Sequence, residues 1–370
     1  MIAMVIPNQE SEKAISSYAM EITKSIKKQK VDIENVFYQA GSIKSFFKII
    51  PKLSKYDVIH LQHEYNILGN FGMPFFLILP ILALKNSKLV TMMHTIHPLK
   101  AKFKGNPLKN FLRKYLYFFQ NRLINWTSDS VIVTMKSHKK ILVNEYGFKS
   151  DKIEIFTSGG PTNFKITQKQ KAKKELKLKG PVYLIIGNLV PDHGIDKILK
   201  QANKIKGTIL IVGNPNPIND RNRKRIEEYL KSLKDYVKEN NIKNVRFDIL
   251  DITDENPLWY KYFSASDIVL QAYRQGIGSG ILLHALATKT PVVSNDTEFF
   301  REIKEKFGCL ELVKKEKDYA KVIKKVMNPT TYKKMVKECE RYFKENSWGK
   351  IGKRYKDLYE ILVIPEYYKY

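Results

Sequence analysis

Short apolar runs alternate along the chain with longer segments whose apolar residues recur every three or four positions. Residues 1–7, 56–61, 88–93, 129–133 and 152–157 have the length and flanking turn residues of buried strands. Between them, 14–29, 108–126 and 137–146 read as helices. The pattern restarts with strands at 182–186, 208–212, 245–250, 268–270 and 292–293, and helices at 221–238 and 281–287. Alternation of this kind predicts parallel sheets, because parallel neighbours need a crossover. Residues 163–179 are polar, Lys-rich and poor in aromatics, as expected of a linker running into the first helix of a second half. The expectation is two doubly wound α/β domains. The first spans 1–165 and is joined by a C-terminal helix within 346–370; the second spans 166–345.

One stretch, 266–296, concentrates the candidate chemistry. It reads as strand, glycine loop, helix and strand, with Gly276, Gly278 and Gly280 at alternate positions. Glycine lets the backbone approach a ligand closely. A helix entered at Ser279–Gly280 turns free N–H groups and its positive dipole end towards an anion such as a phosphate. Ser279 can cap that helix and donate to a phosphate oxygen. Taken alone, a glycine turn before a helix is more often plain loop geometry.

The wider pattern carries a resemblance. ASDIV at 265–269, Tyr273–Arg274, Ser279–Gly280–Ile281–Leu282, Ala285–Leu286–Ala287 and Pro291–Val292–Val293 resemble the donor-binding segment of glycosyltransferase family 4, in its mannosyltransferase-like branch. The run QHEYNILGNFG at 62–72, the MHTIHP at 93–98 and the SW…RY tail at 347–355 are similar to further segments of that branch. The resemblance implies the GT-B fold, two Rossmann-like doubly wound domains facing each other across a cleft. It implies retaining transfer of a mannose-like hexose from a nucleotide sugar, GDP-mannose or a UDP-sugar, to a hydroxyl of a glycan or lipid-linked acceptor. No metal and no other cofactor is expected.

The same resemblance assigns residues. His94, at a strand end, takes the position beside the donor sugar and is the catalytic candidate; His97 is taken as structural. Donor contacts fall to Arg274, Gly278, Ser279, Gly280, His284, Asn188, His193, Gly213 and Ile252. His63 and Glu64, after a strand, face acceptor hydroxyls or simply brace their loop. Ser11 is an acceptor-side candidate whose plainer role is a helix cap. Departures from the pattern are specific. Residues 8–13 (NQESEK) replace a glycine loop, and Ser158 replaces a histidine. Val190 and His193 stand where an arginine and a lysine grip the pyrophosphate, and Gly276 and His284 stand at two glutamate positions. Arg274 is the candidate for the missing fixed charge, with His193 serving when protonated. The alternative is a degenerate, noncatalytic GT-B subunit that binds glycan or partners an active transferase.

Composition narrows the picture in three places. The 65 Lys+Arg against 37 Asp+Glu leave a net charge of +28. The basic residues are spread rather than blocked and no RNA-binding signature occurs, which argues against a nucleic-acid partner. The 71–84 run is apolar but, at about 14 residues, too short to span a bilayer. In 108–126 aromatic and basic residues interleave, which suits an anionic membrane surface; a core-packed helix with a solvated basic face is the rival. Cys309 and Cys339 form no CxxC and fit a reducing compartment. Residues 1–7 are too short for a signal peptide. A cytoplasmic protein, peripheral on the inner face of the cell membrane, is expected.

Overall fold

The computed structural model describes the chain except residues 66, 68–74, 85, 102, 104, 162–163, 214–219, 253–255, 275–277 and 364–370, and the side chains of 13–14, 75–77 and 220–223. It divides into two units, Met1–Ser158 with Asn346–Tyr370, and Gly159–Glu345.

The first unit runs β1 (Ile2–Pro7), α1 (Lys13–Lys27), β2 (Ile33–Tyr38), α2 (Ile43–Ile49), β3 (Val58–His63), α3 (Phe75–Ala83), β4 (Lys88–Met93), α4 (Pro107–Thr127), β5 (Ser130–Val133), α5 (Lys136–Tyr146) and β6 (Ile153–Ile155). Its six strands are all parallel, in the order β2-β1-β3-β4-β5-β6. β1 and β3 are buried along their whole length, as central strands covered on both faces must be. Alternate residues serve opposite faces. Ala3, Val5, Ile59 and Leu61 join one core; Ile2, Met4, Ile6 and Val58 join the other.

The second unit runs α6 (Lys169–Glu175), β7 (Val182–Ile186), α7 (Ile195–Leu199), β8 (Thr208–Gly213), α8 (Asp220–Glu239), β9 (Val245–Ile249), α9 (Pro257–Ala265), β10 (Ile268–Gln271), α10 (Gly280–Ala287), β11 (Val292–Asn295), α11 (Glu298–Lys306), β12 (Leu310–Val313), α12 (Tyr319–Val326) and α13 (Pro329–Glu345). Its parallel sheet has the order β12-β11-β10-β7-β8-β9. The order reverses between β7 and β10, which makes their carboxyl ends the switch point of the sheet.

The chain then returns to the first unit as α14 (Trp348–Val363), which packs on α1 and buries Ile351, Tyr355 and Tyr359 in the second of that unit's cores. The two helices approach closely at Gly352, where an added Cβ would sit 2.3 Å from the Ser25 carbonyl oxygen. Any side chain there forces them apart.

Candidate functional site

A cavity of about 410 Å³ lies in the second unit at the switch point. Gly187 and Asn188 reach it from the end of β7, Asp192 and His193 from the turn that follows, and Tyr273 from the end of β10. Gly278, Ser279, Gly280 and Ile281 line it at the start of α10, with His284 one turn further on and Trp259 on α9.

Ser279 organises the entrance to α10. Its backbone is extended, and its Oγ accepts from the Leu282 amide at 3.1 Å and from Gln271 Nε2 at 2.8 Å. Two accepted bonds use the hydroxyl's lone pairs, so its own proton is left to donate, either to the Tyr273 hydroxyl at 3.2 Å or to a bound oxygen. Helix amides at this end point outward with no intrahelical partner. The arrangement is built to receive an anion.

The cavity's own charges are few. No lysine or arginine lines it among the described residues, and Asp192 is its one carboxylate. The His193 ring packs on Tyr273 at 4.8 Å. Burial pulls its pKa below the ordinary histidine value, against the opposing pull of a hydrogen bond with the Asn188 backbone and the charge of Asp192. The shift favours the neutral ring. His284 Nδ1 lies 3.0 Å from the Tyr260 hydroxyl, and its ring meets Trp259 edge-on at 5.6 Å.

Six of the donor-side candidates thus meet at one cavity: Asn188, His193, Gly278, Ser279, Gly280 and His284. Three do not. Arg274 points away from it, with Nη2 2.5 Å from Asp196 and Nε donating to the Pro191 carbonyl at 3.0 Å. The arginine fastens the turn that carries His193 instead of supplying the missing charge. Ile252 is buried in the hydrophobic core. Gly213 ends β8, and its Cα packs on the Gly187 backbone, behind the cavity wall. Gly276 lies outside the described residues. Gly187, Asp192, Trp259, Tyr273 and Ile281 line the cavity without having been named as site candidates. Tyr273 stands inside the quoted motif beside Arg274, and Trp259 belongs to a helix the periodicity did not reveal.

Residues 166–346 match the family described as "Glycosyl transferases group 1". This part of the chain is similar to that family. Among curated proteins, none matches the sequence. Solved structures resemble the whole chain. Anabaena HepE in complex with UDP superposes with a TM-score of 0.72 at 13% identity, covering 98% of this chain and 100% of that one. Sucrose-phosphate synthase from Thermosynechococcus elongatus gives 0.72 at 17%, with 98% of each chain covered. WaaG, a glycosyltransferase involved in lipopolysaccharide biosynthesis, gives 0.68 at 11%, covering 97% and 99%. The fold is GT-B, and the transferase reading of the sequence holds.

In the first unit the strand-end candidates separate. His94 follows β4; its Nε2 lies 2.8 Å from Gln62 Oε1, and the Tyr18 ring meets it edge-on at 5.8 Å. Burial lowers its pKa to about 4. Tyr18 is itself hydrogen-bonded to Ser158, the residue that replaces the expected histidine, while burial raises its pKa to about 12. His63 does not face an acceptor. Its side chain is fully buried, edge-on to Tyr65 at 5.2 Å and hydrogen-bonded to Gln120, and burial lowers its pKa to about 3. Glu64 accepts from the Tyr65 amide at 3.0 Å and bonds Thr95, with its pKa raised by burial, so it braces the loop. Ser11 lies in the loop just before α1. Its hydroxyl bonds the Asn8 carbonyl and accepts from the Ala40 amide at 2.9 Å, tying the loop after β1 to the loop after β2.

The 108–126 segment forms most of α4. Asn106 caps it by accepting from the Leu108 and Lys109 amides, and Pro107 occupies its first position. Its buried side includes Gln120 and Asn121, while Leu108, Phe111, Leu112, Tyr115, Phe119 and Trp126 are exposed. These six recur at helical spacing and form one outward stripe on a helix whose other side is buried. No helix among the described residues is long and apolar enough to cross a membrane.

Proposed function

We propose that the protein transfers a mannose-like hexose from a nucleotide sugar, GDP- or UDP-linked, to a hydroxyl of a glycan or glycolipid, with retention at the anomeric carbon, as a family 4 enzyme would. The observation that carries this reading is the Ser279-capped entrance of α10 opening on the switch-point cavity. The likeness to HepE supports a nucleotide-sugar donor, since that protein has been solved with UDP and with UDP-glucose.

The diphosphate is held by the α10 amides, the Ser279 hydroxyl and Asn188, and His193 becomes its cation by taking up a proton. The proton is the charge an arginine or lysine would otherwise supply, and no metal is assigned a role. The bond from the anomeric carbon to the phosphate oxygen breaks as the acceptor oxygen bonds to that carbon. The acceptor's proton passes to the departing phosphate. His94 is assigned to the sugar by its motif position.

The acceptor is presented at an anionic membrane surface on the cytoplasmic side. The exposed aromatic and leucine side chains of α4, with Lys109 beside them, support this. Single-turnover assays with GDP-mannose and UDP-glucose test the function. Release of GDP or UDP from one donor, with a product whose anomeric proton keeps the donor's configuration by NMR, is expected. Inversion would refute the retaining assignment. No release from either donor, in folded protein offered lipid-linked acceptors, would refute the donor assignment.

A further inference from the structure

A chain of side chains runs from His94 into the core of the first unit. His94 Nε2 lies 2.8 Å from Gln62 Oε1, and Gln62 Nε2 lies 3.3 Å from His60 Nε2 and 3.2 Å from Met4 Sδ. His60 Nδ1 lies 2.6 Å from the hydroxyl of Tyr359 on α14. Gln62 and His60 are fully buried.

The protons along this chain can be assigned in order. A thioether sulfur only accepts, so the Gln62 amide nitrogen faces Met4 and the amide oxygen faces His94. An amide oxygen only accepts, so His94 carries its proton on Nε2. An amide nitrogen only donates, so His60 Nε2 is bare and its Nδ1–H donates to Tyr359. Burial keeps both rings neutral, which limits each to one proton.

We propose that Gln62, His60 and Tyr359 are positioning residues that hold His94 in one tautomer, with the proton on Nε2 and an accepting lone pair on Nδ1. The ring then takes a hydrogen-bond donor, so the ligand group suited to it is a hydroxyl and not a carbonyl or carboxylate oxygen. That last step rests on the assignment of His94 to the sugar; the tautomer does not. Because Tyr359 belongs to α14, docking of this last helix sets the state of a strand-end histidine.

Long-range proton–nitrogen spectra of the full chain, labelled with 15N histidine and assigned with His94→Asn and His60→Asn, read the tautomers directly. In the unmodified protein His94 should show a protonated Nε2 and a bare Nδ1, and His60 the reverse. Gln62→Leu should move the His94 nitrogens towards the average of two tautomers. Tyr359→Phe should move them the same way by less, and Gln62→Glu, which keeps an accepting oxygen, should restore the Nε2–H form. A His94 protonated at Nδ1 in the unmodified protein would overturn the proposal. So would an unchanged His94 pattern in Tyr359→Phe together with Gln62→Leu; if the leucine variant does not fold, the unmodified spectrum and Tyr359→Phe decide. Should the spectra agree while His94→Ala leaves sugar transfer unchanged, the relay stands and the assignment of His94 to the sugar fails.

Discussion

A methyl group at Gly213 would lie 1.9 Å from the Gly187 carbonyl oxygen, and Gly213 holds φ at +139°. Both facts oppose any side chain, since overpacking costs about 1–3 kcal/mol and a disallowed φ adds to it. Gly213→Ala should therefore lower the urea midpoint by an amount worth at least about 2 kcal/mol; an unchanged midpoint would show that β7 and β8 need not meet so closely. The glycine was visible in the sequence as the turn after a strand, but its steric task was not, because it depends on a partner 26 positions away. The same limit explains Arg274. A sequence states a charge without its direction, and only the fold shows that Asp196 lies nearer than the cavity. His63 and His94 look alike as histidines at strand ends. They part because His63 is still within β3, paired with Met93 and packed against Tyr65, whereas His94 lies one residue past the end of β4. The Ser279–Gly280 entrance was legible because capping and helix geometry are local.

At the scale of elements, most strands were legible as apolar runs. The two that were not, β2 and β12, each lie at one edge of their sheet; the opposite edges, β6 and β9, were legible. β2 has only Ile33 and Tyr38 fully buried, and β12 is four residues long. An edge strand is covered on fewer sides, so its sequence carries less of the continuous hydrophobic signal. α4 was legible as a helix, but which face it buries was not. Periodicity alone cannot show that Gln120 and Asn121 face inward, with Asn121 accepting from the Tyr65 hydroxyl at 2.9 Å. The outward stripe makes a prediction. Full-length protein should sediment with vesicles containing anionic lipid and much less with zwitterionic ones. Phe111→Ser with Phe119→Ser should reduce anionic-vesicle binding at least tenfold with the urea midpoint held, because both rings are more than half exposed. Equal sedimentation of the double variant would remove α4 from that role.

At the scale of the whole molecule, the charge of +28 is dispersed along the chain, while no lysine or arginine lines the proposed site among the described residues. The histidines of the first unit make stability depend on pH. Burial lowers His60 and His63 to about 3 and His94 to about 4. A depressed histidine contributes stability that is present above its unfolded pKa of about 6.5 and is lost as pH falls towards the folded value. Within that window each such group costs up to about 1.4 kcal/mol per pH unit. Glu64, raised by burial, acts in the opposite sense but is a single group. The urea midpoint should thus fall steadily from pH 7 to pH 5; a flat midpoint would mean that these rings become protonated in the folded protein.

The central claim, a nucleotide diphosphate at the entrance of α10, is tested most directly by calorimetric titration with UDP, GDP and ADP. Gly278 and Gly280 line the cavity, yet an added Cβ at either meets nothing within 4 Å among the described residues, so Gly278→Val and Gly280→Val should fold and obstruct only the site. Saturable binding of one nucleotide, weakened at least tenfold in both variants and accompanied by proton uptake at His193, is the predicted result. Binding that survives both substitutions would place the nucleotide elsewhere, and no binding of any of the three to the folded protein would contradict the account.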